Sequence, residues 1–177
     1  MRIASISFAI ATLLLASCSE SLSPYTSAVQ RNGNFSEEQV RQIQFYISDD
    51  IILQRDLSAA STTISGGTVK MVNGREVEEV VIPAGTPGVV VGGAGSILHV
   101  SFDASGQFLR FGPNPGAGGK YTVMAYDWQG SVGYVMYGDQ QFKLVPYGQY
   151  AHLLLDMERY DQVTKSTKEV SGRTLSP

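Results

Sequence analysis

From Phe45 to Met157 the chain is a succession of short runs in which apolar and polar residues alternate, separated by turns rich in glycine, asparagine or aspartate. A period of two puts successive side chains on opposite faces of an extended strand, so such runs bury their apolar half as sheet and not as helix. Pairing 97–103 with 107–111 across Asp103–Gly106 puts Leu98, Val100, Leu109 and Phe111 on one face. A three-strand meander with turns at Gln129-Gly130 and Asp139-Gln140 lines up Met124, Tyr126, Trp128, Val135, Tyr137, Phe142 and Leu144 on one side. Leu153, Leu155 and Met157 continue the alternation. The 19 glycines, 9 tyrosines and 7 phenylalanines of the 177 residues agree with β-structure. The expected class is all-β: a small barrel or sandwich of about eight short antiparallel strands.

Asn73-Gly74 is the clearest hairpin signal. A three-residue loop ending at Gly74 pairs Val69 with Val77 and Lys70 with Glu76, separating an apolar face from a charged one. A two-residue turn sets Met71 against Glu76 and mixes the faces, so the longer loop is expected. Pro87-Gly88 suits the centre of a type II turn. Ser36-Glu37-Glu38-Gln39 fits a capping box and, with Val40 and Ile43, predicts one short N-terminal helix over 37–44. Residues 163–177 read as a polar tail, and the first part of 161–177 as an extension of the last strand.

The N-terminus has a different character. Met1-Arg2 is followed by an apolar stretch from Ile3 to Leu15, too short for a membrane-spanning helix, and then by Leu15-Ala16-Ser17-Cys18. These four residues resemble the lipobox of bacterial lipoproteins. The resemblance implies cleavage between Ser17 and Cys18, lipidation of Cys18, and attachment to a membrane through acyl chains at the new N-terminus. Ser19 after the cysteine implies, again by resemblance, the outer membrane of a bacterial envelope. The expected organisation is a signal peptide over 1–17, a lipidated tether over 18–35, a β-domain over 36–162 and the tail. Cys18 is the single cysteine, so no disulfide within the chain is available. Separately, the stretch from Val81 to Val91, followed by Leu98-His99-Val100-Ser101-Phe102, resembles SH3-like small barrels.

Chemical motifs are sparse. The formal charge of −3, with no basic run interleaved with aromatics, leaves nucleic-acid binding without support. Gly116-Ala117-Gly118-Gly119-Lys120-Tyr121 departs from a phosphate loop: Asn114 and Tyr121 stand where glycine and Ser/Thr are needed, and a strand follows. Gly92-Gly93-Ala94-Gly95 is likewise expected to be a loop. His99, placed opposite Arg110, and His152 are expected at the surface, and no metal or other cofactor is expected. Neither Ser96 nor Ser131 belongs to a nucleophile elbow. Asp49-Asp50 reads as a turn, and Asp156 with Glu158 as the solvated side of a strand.

The aromatics remain. Trp128, Tyr126, Tyr137 and Phe142 are expected in the core. Tyr121, Tyr134 and Met136 alternate with Asp127, Gln141 and Lys143 on the opposite face. They either pack under the N-terminal helix or tail, or form a binding patch. The functional expectation is a membrane-anchored, non-catalytic module binding an envelope protein or cell-wall glycan. The alternatives are an envelope hydrolase acting on glycan or peptide, and an adhesin or strand-exchange subunit.

Overall fold

The computed structural model describes residues 21–57, 64, 66–145 and 148–166. The fold is all-β, with thirteen strands among the described residues. The first part of the chain forms β1 (Leu22–Pro24), helix α1 (Ser27–Gly33), the single-turn helix α2 (Glu37–Val40), β2 (Phe45–Ile47) and β3 (Ile51–Asp56). Then come β4 (Thr68–Val72), β5 (Arg75–Ile82), β6 (Pro87–Ala94), β7 (Ile97–Ser101), β8 (Phe108–Asn114) and β9 (Lys120–Val123). The chain ends with β10 (Asp127–Gln129), β11 (Val132–Tyr137), β12 (Gln140–Leu144), β13 (Leu153–Asp156) and helix α3 (Met157–Ser166). The count exceeds eight because strands of three residues, such as β1, β2 and β10, are too short to show alternation.

The strands form two antiparallel sheets. Sheet I has the order β1-β13-β2-β6-β7-β8-β9, and sheet II the order β10-β11-β12-β3-β5-β4. Sheet I curls until its ends touch: Thr26 bridges Lys120, and Thr122 bridges His152. Tyr121 N–H donates to the Tyr25 carbonyl at 3.0 Å, and Ser27 N–H to the Gly119 carbonyl at 2.9 Å. These are isolated bridges and not a continuous ladder, so the barrel stays open. One continuous core fills the molecule. Sheet I supplies Phe45, Ile47, Val100, Leu109, Phe111, Leu153 and Leu155, and sheet II supplies Ile51, Leu53, Val135, Phe142 and Leu144. Each such side chain contributes roughly 1.5–3 kcal/mol by leaving water.

Several local expectations hold. Leu98 pairs with Phe111, His99 with Arg110 and Val100 with Leu109. The capping box is present in both directions: Gln39 N–H donates to Ser36 Oγ, and Ser36 N–H to Gln39 Oε1. The helix it starts ends at Val40, short of 44, although Ile43 is still buried.

Others are corrected. The Asn73-Gly74 hairpin has the two-residue turn, pairing Val72 with Arg75, Lys70 with Val77 and Val69 with Glu78. Asn73 and Gly74 both have positive φ, 50° and 77°, the backbone that matches strand twist in such turns. The mixed faces are tolerated for two reasons: β4 is exposed from Thr68 to Met71, and Glu78 is buried against Arg55. The turn assigned to Pro87-Gly88 lies upstream, where Thr86 N–H donates to the Pro83 carbonyl and Gly85 takes φ 78°. Pro87 and Gly88 already pair with β2.

Gly92, Gly93 and Ala94 belong to β6, after a bulge between Val90 and Gly92. Within 18–35, residues 22–33 are not tether: they form β1 and α1, and Tyr25 is fully buried with its ring 5.0 Å from Phe45. That ring, together with the pairing of β1 to β13, docks a segment whose composition otherwise reads as linker. Residues 157–166 are helical, so they do not extend β13. Asp156 is buried, and its carboxylate accepts the Glu158 N–H at the helix start.

Candidate functional site

After β9 the chain leaves sheet I and crosses to sheet II through Met124-Ala125-Tyr126, which lead into β10. Met124 N–H donates to the Arg110 carbonyl at 2.8 Å, and Tyr126 N–H to the Tyr134 carbonyl at 2.9 Å. Both ends of the crossover are therefore fixed by the backbone. Trp128 pairs with Gly133. A Cβ on Gly133 would stand 3.1 Å from two carbons of the Trp128 ring, so the indole lies against bare backbone. Met124 Sδ occupies the space left by Gly112 in the same way.

By pairing, Trp128 stands on the side of sheet II that carries Val135 and Phe142, as the alternation predicts. It lies past the end of the core, however. Trp128 is 46% exposed and Tyr126 52%, which corrects their assignment to the core; Met124 beside them is 36% exposed. Tyr137 and Phe142 are buried as expected. On the opposite side of β10, Tyr134 Oη donates to Gln129 Oε1 and Gln129 Nε2 donates to Asp127 Oδ2, both at 3.2 Å. A half-exposed indole, a phenol and a thioether thus stand at this corner, and a carboxylate, an amide and a second phenol lie on the other side of β10.

The patch expected from Tyr121, Tyr134 and Met136 does not assemble. Met136 is exposed and Tyr134 half-buried on β11. Tyr121 is fully buried on β9, in the other sheet. Its ring lies 4.7 Å from that of Tyr25, and its hydroxyl bonds Gln30 of α1. Burial raises its pKa against the opposing charge of Arg31. The alternation that grouped the three runs unbroken through 120–137, but the chain changes sheet at 124–126. Ser17 and Cys18 lie outside the described residues.

A groove of about 320 Å³ is lined by Lys70, Glu79, Phe102, Asp103 and Tyr137 among others. Burial works to raise the Asp103 pKa, but hydrogen bonds from Ser105, Tyr137 and the Gly106 amide outweigh it and hold the carboxyl low. The Tyr137 phenol moves up, through burial and its 2.5 Å bond to Asp103. Hydrogen bonds from Lys70 and Gln54 hold Glu79 low as well. Neither groove carboxyl keeps a proton at neutral pH to act as a general acid.

The sequence reading missed one polar cluster. Ser48 Oγ lies 2.6 Å from Asp49 Oδ2 and 2.9 Å from His152 Nδ1, and it accepts the His152 N–H. His152 Nδ1 is also 3.1 Å from the Tyr150 carbonyl, which can only accept. A proton on Nδ1 satisfies that carbonyl and leaves the Ser48 proton to Asp49, so the imidazole is not placed as a base for Ser48. The cluster ties the β2–β3 turn to β13. Its members lie 104 residues apart, a distance no local pattern spans. His99 is half-buried, its ring stacked 4.4 Å from Phe108, and burial, then Arg110, lowers its pKa. Among the described residues no three His, Cys, Asp or Glu side chains converge on a point suited to a metal ion.

No protein-family model, curated protein or solved structure matches the chain. Among the described residues no helix is long and apolar enough to cross a membrane.

Proposed function

We propose that the chain is an envelope lipoprotein, held at the outer membrane through lipid on Cys18, whose β-domain binds a partner without catalysing a reaction. The Leu15-Ala16-Ser17-Cys18 resemblance supports the anchor. The observation that carries the binding role is the corner of Met124, Tyr126 and Trp128: three large side chains half in water on a fixed backbone. Exposed aromatics on rigid elements are energetically suited to binding, because little conformational freedom is lost on contact. The flat, half-exposed indole favours cell-wall glycan, with a sugar's C–H face on the ring; Asp127, Gln129 and Tyr134 lie on the other side of β10, outside that contact. A protein is the other partner class. The hydrolase alternative is weakened by the low pKa values of Asp103 and Glu79.

Four measurements test this. Metabolic labelling with a fatty-acid analogue is expected to mark the protein, and Cys18→Ser to release it from membranes. Co-sedimentation with purified peptidoglycan sacculi is expected to retain the protein and to lose Trp128→Ala, with unchanged thermal unfolding. Equal sedimentation of both proteins removes the glycan reading. Crosslinking to a protein in intact cells, lost in the same variant, would replace it with the protein reading.

A further inference from the structure

We infer that the free edge of β4 pairs with the β4 edge of a second copy of this chain, giving a two-fold dimer with one sheet running through both subunits. β4 is the last strand of sheet II, and among the described residues nothing pairs with its far side. It does not carry the usual protections of an edge strand, which are shortness, a bulge, a proline or a charge standing free on the edge. It is five residues long and pairs with β5 without a register shift. Val69 and Met71 are 42% and 66% exposed, and the one charge, Lys70, is drawn back to Glu79.

The hairpin turn fixes which backbone groups are free. In a two-residue turn the closing pair, Val72 with Arg75, exchanges both hydrogen bonds, and the alternation runs on through Lys70–Val77 and Thr68–Glu79. The N–H and C=O groups of Val69 and Met71 therefore point away from β5, towards the open edge. An antiparallel copy centred on Lys70 sets Val69 opposite Met71, Met71 opposite Val69, and Thr68 opposite Val72. Both Val69–Met71 pairs then join free donors to free acceptors and place apolar side chains together on one face. Lys70 faces its own copy in a pair without hydrogen bonds, and each ammonium is held by its own Glu79. The segment is thus self-complementary in hydrogen bonds and in side chains, the condition for an isologous contact. A contact of five residues a side is small beside stable interfaces, so the dimer forms where the local concentration is high, as among copies held on one surface.

Register-specific crosslinking in cells tests this, with Cys18 retained so that the chain stays on its surface; on the proposed reading its sulfur is held in the lipid thioether, and the parent chain, carrying Cys18 alone, is the control for crosslinking through it. Pairs without hydrogen bonds bring the Cβ atoms within disulfide range. Lys70→Cys is expected to give a disulfide dimer on mild oxidation. Thr68→Cys and Val72→Cys are each expected to give none alone, and a mixed dimer when expressed together. Met71→Lys, at an exposed position, is expected to abolish the Lys70→Cys dimer. In the purified protein, amide exchange at Val69 and Met71 is expected to slow as concentration rises. Crosslinking of Thr68→Cys alone as strong as that of Lys70→Cys overturns the register. Absence of any dimer, with exchange at Val69 independent of concentration, overturns the pairing itself.

Discussion

Sheet I brings its last strand back to its first: Tyr25, Thr26 and His152 meet β9, and Tyr121 is sealed beneath α1. Sheet II is open, ending at β10 on one side and β4 on the other. The side chains near its two ends differ accordingly: Trp128 and Tyr126 beside β10, and Val69 and Met71 on β4, all stand well into water. A sheet that uses its own chain to satisfy its edges becomes scaffold. A sheet that leaves edges free, with apolar side chains beside them, keeps backbone and side-chain binding capacity for another molecule.

The strongest way to break this contrast is to cut into sheet I. Phe111→Ala removes a fully buried ring and is expected to cost about 3–5 kcal/mol in denaturant unfolding. Trp128→Ala in sheet II is expected to stay within about 0.5 kcal/mol of the parent, as for other surface substitutions. Equal losses at the two sites would mean that the corner is core after all.

A sharper test lies inside sheet II, where Arg55 meets Glu78 and Gln140 and sits 5.5 Å over the Phe142 ring. The Glu78 side chain is fully buried. Arg55→Ala leaves that carboxylate without its cation and is expected to cost about 3 kcal/mol. A loss below about 1 kcal/mol would show that water reaches Glu78, and that the open sheet is open there too.

The smallest effect is on the acid limb of stability. Asp103 has a lowered pKa when folded, so its contribution is complete above the unfolded aspartate value and is lost as pH falls through the folded one. Tyr137→Phe removes one of the donors to that carboxylate. It is expected to lower stability at neutral pH by less than about 1 kcal/mol, since Asp103 is largely solvated. The difference should shrink as pH falls through the folded Asp103 value, below the ordinary aspartate one, and vanish once the carboxyl is protonated in both proteins. A difference that persists there would assign Tyr137 a packing role only.

Much of the fold is written locally. Leu98, Val100, Leu109 and Phe111 could be paired in advance because their hairpin is short and one of its faces is buried, so register follows from alternation alone. The capping box of Ser36 and Gln39 was legible because both its hydrogen bonds span three residues. The exposed corner was half legible. Trp128 was set on the correct side of its sheet, yet was expected to be buried. Alternation reports which way a side chain points and not whether a second sheet lies above it.

The failures among the aromatics share that cause. Tyr121 and Tyr134 look equivalent by spacing, but the chain changes sheets at 124–126, burying one and half-exposing the other. Tyr25 carries no periodic signal, and its burial depends on Phe45 and Tyr121, 20 and 96 residues away along the chain. By itself the sequence determined strand character and, in the hairpin of 97–111, the pairing, since these are set by backbone geometry within a few residues; at Asn73-Gly74 it located the turn but not its register. Only the tertiary structure decided which edges close, which aromatics stay in water and which charge is buried. Those outcomes depend on what the distant chain covers, and no local pattern encodes that.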